Sequence, residues 1–239
     1  SLFSKSTFVR AKKVVDPRFG GWLDKRNVRS MLDVGSSAFV EQIFMRIGFF
    51  AFSLIVAKLG TLEMAAHIVG MNIMTISFSI GDGMQTASIS LSGQSLGKNR
   101  PDLARLYAGT CLRLGLVCAA VVSVILFTFS RQIFTFFSDD PLVLGYGVQI
   151  MRVLCLILFF QVPQLIYGGA LRSAGDTKYT AVVSLISVTF VRAGLGWLFC
   201  YPLGLGLIGA WIGILMQTFI GWSLFRWRFN KGEWTKIRI

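Results

Sequence analysis

The sequence predicts an all-α, polytopic membrane protein with six transmembrane helices. Three observations carry this expectation. Apolar residues make up 54% of the 239 positions against 15% charged, the mean hydropathy is +0.65, and the apolar residues gather into six runs near the length of a bilayer crossing, which takes about 20 residues. Backbone amides in hydrocarbon must be satisfied within their own segment, so these runs read as helices.

Residues 1–36 come before the first run and carry eight of the 24 Lys and Arg, interleaved with Phe3, Phe8, Phe19 and Trp22. Two readings stand for this stretch. It lies on an anionic cytoplasmic leaflet with its apolar side chains down, or it is a flexible linker whose charge only fixes topology. Pro17 and the Gly20–Gly21 pair exclude one continuous interfacial helix. The chain opens on Ser1, and its first apolar run follows a long basic region. A secretory signal is therefore not expected, and a start inside a longer polypeptide is.

The six runs are residues 37–57, 64–92, 104–129, 142–170, 179–201 and 205–225. The second and fourth are long enough to tilt or to project past the headgroups. Pro163 in FFQVPQLIYGG frees a carbonyl in the fourth run and kinks it, either to line a cavity or simply to pack. Residues 227–239 form a basic tail, so the expected organisation is linker 1–36, lobe 37–226 and tail 227–239.

The formal charge of +13 does not mark a nucleic-acid partner, because the bases flank apolar runs rather than cluster on a soluble face. Eighteen of them fall in the N-terminal region, the LGKNRPDLAR and LRSAGDTK loops and the tail, whereas the alternate loops hold only Lys58 and Arg131. The positive-inside rule then puts both termini in the cytoplasm and makes membrane lipids the expected partners of the basic face.

Charge at membrane depth is costly, about 2.5–3.5 kcal/mol per group on insertion scales, so buried polar residues are the site candidates. Glu41 is the only carboxylate in the first run. Gln42 and Arg46 share a face at i,i+4, but Glu41 and Arg46 are about 140° apart around a helix, so Glu41 has no fixed partner there. Either it exchanges a proton or accepts a sodium ion, or it is hydrated at the interface or paired across helices.

Asp82, flanked by glycines in SIGDGMQTA, is expected to pair with a buried arginine. Arg113, Arg152 and Arg192 each interrupt an apolar run and must face the bundle interior, a cavity or an interface. Snorkelling suits Arg113 better than the other two. Gln85, Gln161 and Gln164 are cavity-lining groups or interhelical glue. His67 is a proton relay or a packed, hydrogen-bonded imidazole.

Cys111, Cys118, Cys155 and Cys200 lie in apolar runs without C-x-x-C spacing and read as small buried hydrophobes. No H-E-x-x-H, P-loop or paired acidic cluster is present, so no catalytic residue, metal ligand or cofactor is expected.

The stretch from FVEQIFMRIG through SGQSLGKNRPDLAR resembles the seventh and eighth helices of bacterial multidrug and toxic compound extrusion (MATE) transporters. GGALRSAGDTKYT is similar to the turn after that family's tenth helix, and YPLGLGLIGAWIGI to the entry of its twelfth. The resemblance runs from about residue 27 to the C-terminus. It implies one lobe of a MATE-like twelve-helix transporter in the bacterial cytoplasmic membrane, completed by an N-terminal six-helix lobe. The implied activity is export of amphiphilic, often cationic, organic small molecules in exchange for H+ or Na+, by alternating access. Glu41 falls where many members carry a cation-coupling acid, but the family's further acid in the tenth helix has no counterpart in 142–170. Two alternatives stay open: a lipid-linked oligosaccharide flippase of the same superfamily, and a six-helix membrane subunit with no transport of its own.

Overall fold

A computed structural model of the chain describes residues 25–138, 140–232 and 234, with side chains at Phe39 and from Gln42 onward. It divides into two units, residues 1–42 and 43–239. Within the described residues the chain is helical throughout, with no strand. The elements are α1 (Lys25–Ala57), α2 (Thr61–Gly97), α3 (Pro101–Thr128), α4 (Ser130–Thr135), α5 (Pro141–Ser173), α6 (Thr177–Leu185), a π-helical turn (Ile186–Val191), α7 (Arg192–Cys200) and α8 (Gly206–Lys231).

Five helices are long and apolar enough to cross a membrane: α2, α3, α5, the Thr177–Cys200 helix and α8. The apolar part of α1 within the described residues, Gln42–Ala57, is shorter than a full crossing. In the first unit, residues 25–36 are helical although they fall in the stretch expected to be linker. The breakers Pro17, Gly20 and Gly21 all come earlier, so nothing interrupts a helix beginning at Lys25. The surface-lying reading covers residues 1–36, of which 1–24 lie outside the described residues and 25–36 are described in backbone only. At the other end α8 runs past residue 226 to Lys231 and stops at Gly232, whose φ of +74° is a left-handed cap.

The second unit is assembled through small residues. Buried Ala104, Ala108, Cys111, Gly115, Ala119 and Ser123 form one stripe of α3. Leu114, Val117, Val121 and Val124 stay exposed on the same helix, where lipid would meet them. Hydrocarbon is as apolar as Leu, so association relies on close packing and interhelical hydrogen bonds rather than on a hydrophobic drive. Ser123 and Cys155 show this, because Ser123 Oγ donates to the Cys155 carbonyl at 3.4 Å and Cys155 Sγ returns to the Ser123 carbonyl at 3.3 Å.

On α2, buried Gly70, Ser77, Gly81, Ser88, Ser92 and Ser95 make the matching stripe. The hydroxyls of Ser88 and Ser92 reach the carbonyls of Ile166 on α5 and Ala104 on α3. The packed interior runs through Met74, Ile150, Leu154, Leu158, Ile166 and Trp211.

A second cluster, Ala104, Leu171, Ala174, Val183, Phe225 and Trp234, closes the end that carries the basic loops. The LRSAGDT turn is pinned there. Asp176 Oδ2 accepts from Arg228 Nε at 2.8 Å, Arg228 lies over the Tyr179 ring, and the Tyr179 hydroxyl donates to the Leu224 carbonyl. That turn therefore clasps the end of α8.

Two features were not foreseen. The expected loop after the third run contains α4, seated by Phe134, which is fully buried beside Gly147, while Phe136 is 93% exposed at the helix end. The fifth run carries the π turn immediately before Arg192.

A polar cavity in the second unit

A cavity of about 270 Å³ opens among α1, α2, α5, the π-turn helix and α8. Its polar lining comes from Gln85 on α2, Gln161, Gln164 and Arg172 on α5, Ser184 on α6, Arg192 at the start of α7 and Gln217 on α8. Met45, Phe49, Met74 and Phe78 supply apolar wall. The lining positions from Gln161 to Arg172 cover about 16 Å of helix axis. Pro163 lies within this stretch of α5 and cannot donate to the Phe159 carbonyl, which loses its helical partner.

Arg192 dominates the site. Its side chain is buried, at 2% exposure. The guanidinium lies 4.4 Å from the Phe49 ring centre and 4.8 Å from that of Phe52, contacts that partly compensate a desolvated cation. Nη2 approaches Met71 Sδ at 3.7 Å, and Nε has no partner. The π turn sets this position, since one extra residue in the turn re-aims everything after it, and such turns recur at functional sites. The turn is held on α1, where Thr189 Oγ1 donates to the Phe44 carbonyl and the backbone at Val188 and Thr189 crosses close over Gly48.

Further buried polar atoms lie in the same region without a protein partner: Gln164 Oε1, Ser187 Oγ, His67 Nδ1 and Trp211 Nε1. Gln161 Oε1 stands 3.5 Å from the Thr218 hydroxyl, whose better acceptor is the Ile214 carbonyl at 2.8 Å. A second cavity of about 240 Å³, lined by His67, Ser53, Asn72, Met71 and the two phenylalanines, shares Arg192 with the first. His67 is buried there between the rings of Phe52 and Trp211.

The structure thus brings Gln85, Gln161, Gln164 and Arg192 together in one cavity and His67 into its neighbour. Arg46 and Arg152 are not with them, because both side chains are exposed on the second unit, as is Arg113. The expected pairing of Asp82 with a buried arginine is not formed. Asp82 is exposed on α2, one position past the buried stripe at Gly81, and so points away from the interior that holds Arg192. Gln42 is exposed and belongs to the first unit, and the Glu41 side chain lies outside the described residues.

Arg172, Gln217 and Ser184 were missed as site residues. Arg172 had been counted only as a loop base, and neither Gln217 nor Ser184 carries a distinguishing sequence signal. Among the described residues no group of His, Cys, Asp and Glu is arranged to hold a metal ion.

The MatE family model matches residues 37–198. A probable multidrug resistance protein NorM of Thermotoga maritima is 26% identical over the whole chain, which spans 50% of that protein. A probable NorM of Pasteurella multocida is 27% identical over 89% of the chain and 47% of its own length. Among solved structures, a MATE protein in the bent conformation superposes with a TM-score of 0.81 at 18% identity, over 93% of this chain and 49% of that one. The chain spans about half the length of the curated relatives it matches.

Proposed function

The chain belongs to the MatE family, and on that premise we propose that it is the C-terminal lobe of a secondary transporter, not an enzyme, that exports amphiphilic organic compounds. A further six-helix lobe, in the same polypeptide or a second chain, completes the pathway. The pair rocks between inward and outward openings in the cytoplasmic membrane of a bacterial cell, with both termini of this lobe in the cytoplasm. Inward flow of H+ or Na+ drives the export, and Glu41 is the coupling residue.

The observation that carries this reading is the alignment of the whole chain with one half of a protein named as a probable multidrug resistance protein. The polar cavity supports it, because buried glutamines and an arginine inside a lipid-facing bundle are costly unless they serve a solute path.

The test is export from proteoliposomes holding the full two-lobe protein, with ethidium as the reported compound. An imposed pH or sodium gradient is expected to drive ethidium movement, and collapsing the gradient to stop it. Movement that ignores both gradients would overturn the coupling.

A further inference from the structure

We propose that the larger cavity binds the head of an organic anion, a carboxylate, sulfonate or phosphate, with Arg192 as its anchor and Gln164 and Gln217 as hydrogen-bonding flanks. The proposal goes beyond the transporter reading: it assigns this cavity an anion subsite, separate from the route taken by a cationic compound such as ethidium.

The charge inventory carries the proposal. Among the described residues lining the cavity, Arg192 is a buried cation and none is a carboxylate. The described acidic side chains are engaged or point elsewhere. Glu63 accepts from the Tyr146 hydroxyl at 3.1 Å, Asp102 pairs with Arg100, Asp140 caps the α5 amide of Leu142, Asp176 holds Arg228, and Asp82 is exposed. None reaches Arg192.

A guanidinium stays charged in essentially any protein setting, and its planar fork fits a carboxylate or phosphate through two parallel hydrogen bonds. Here Nε of the buried Arg192 is unpartnered, and Gln164, which lines the same cavity, has an amide oxygen that is also unpartnered. An amide facing an anion presents its NH2, a choice that a flip of Gln164 supplies. Gln217 adds a second buried amide at 6% exposure. Around these groups Met45, Phe49, Met74 and Phe78 form a wall suited to an apolar body. A cation would meet the buried Arg192 guanidinium with no carboxylate among the described lining residues.

Three bicyclic probes of similar size separate charge from shape: 2-naphthoate, neutral 2-naphthamide and cationic N-methylquinolinium. Binding is measured by equilibrium dialysis on the full two-lobe protein in phosphatidylcholine nanodiscs. The wild type is expected to bind 2-naphthoate at least about tenfold more tightly than the other two, and Arg192→Gln to lose that preference. Arg192→Lys should recover part of it. A melting temperature for Arg192→Gln at or above wild type shows that the loss is not unfolding, since removing an unpaired buried charge relieves its desolvation cost.

Adding phosphatidylglycerol to the nanodiscs identifies the source of the anion. Displacement of 2-naphthoate assigns the site to a lipid headgroup, and unchanged binding assigns it to a solute; either supports the anion site. Preference for N-methylquinolinium, or 2-naphthoate affinity unchanged in Arg192→Gln, would overturn the proposal. Gradient-driven ethidium export with no Arg192-dependent anion binding would leave the transporter reading standing and this one refuted. Arg192-dependent binding without gradient-driven export would do the reverse.

Discussion

Glu41→Gln is expected to abolish gradient-driven export while the protein still reaches the membrane in normal amount. The substitution keeps the size and hydrogen-bonding reach of the side chain and removes only its capacity to carry a negative charge. A residue that couples transport must alternate between binding and releasing a cation, and an amide does neither at physiological pH. Compound already bound should still exchange across the bilayer, but without response to an imposed pH or sodium gradient. The measurement is ethidium movement in proteoliposomes of the two-lobe protein, compared with protein-free vesicles. Export that keeps its gradient dependence in Glu41→Gln would remove Glu41 from the coupling step. The run 142–170 contains no acid to take its place, so coupling would then fall to Asp82, the other acid inside an apolar run of this lobe, or to the other lobe.

The second large effect is structural. A Cβ added at Gly213 on α8 would lie 2.8 Å from the Gly196 nitrogen and 2.9 Å from its Cα. Both are backbone atoms of α7, so no side chain can swing aside and the two helices must separate. Overpacking of this kind costs about 1–3 kcal/mol, offset by roughly 1 kcal/mol from the better helix propensity of Ala. Gly213→Ala should therefore lower the melting temperature in detergent, and Gly213→Leu should lower it much further. Gly194→Ala is the internal control. It lies on α7, the helix that faces Gly213, with nothing within 4 Å of an added Cβ, so it should leave stability equal or slightly raised. Because α7 begins at Arg192, separating α7 from α8 also displaces the anchor of the cavity, and Gly213→Ala should weaken 2-naphthoate binding as well.

Much of the fold is legible in the sequence because a bilayer reduces the problem to length and hydropathy. The helices fall on the expected runs, and the small-residue stripes of α2 and α3 supply their packing faces. Azimuth is what the sequence hides. In a soluble helix the polar face marks the outside, but here lipid and protein interior are equally apolar, so an arginine at depth does not declare where it points. Arg152 and Arg192 look alike in sequence; one is exposed and the other is buried. Asp82 fails for the same reason, because a flanking glycine marks a close approach without saying on which side of the helix. The π turn was out of reach because SLISVTFVRAG has no breaker and reads as continuous helix. Helix α4 was hidden in a loop too short to show a period. The polar cavity was partly visible in Gln85, Gln161, Gln164 and Arg192, but which polar groups line it depends on how each helix is rotated, which only the packed structure reveals.

The central claim is that the cavity lined by Gln161, Gln164 and Arg192 is a water-accessible path for a solute rather than a sealed fault in packing. Cysteine labelling tests it most directly. In the two-lobe protein with Cys111, Cys118, Cys155 and Cys200 replaced by Ala, Gln161→Cys is exposed in membrane vesicles to a sulfonated, membrane-impermeant maleimide. The account predicts that Cys at this position reacts, that an imposed cation gradient changes its rate, and that 2-naphthoate slows it. Labelling by a membrane-permeant maleimide together with inertness to the impermeant reagent from both sides would contradict it.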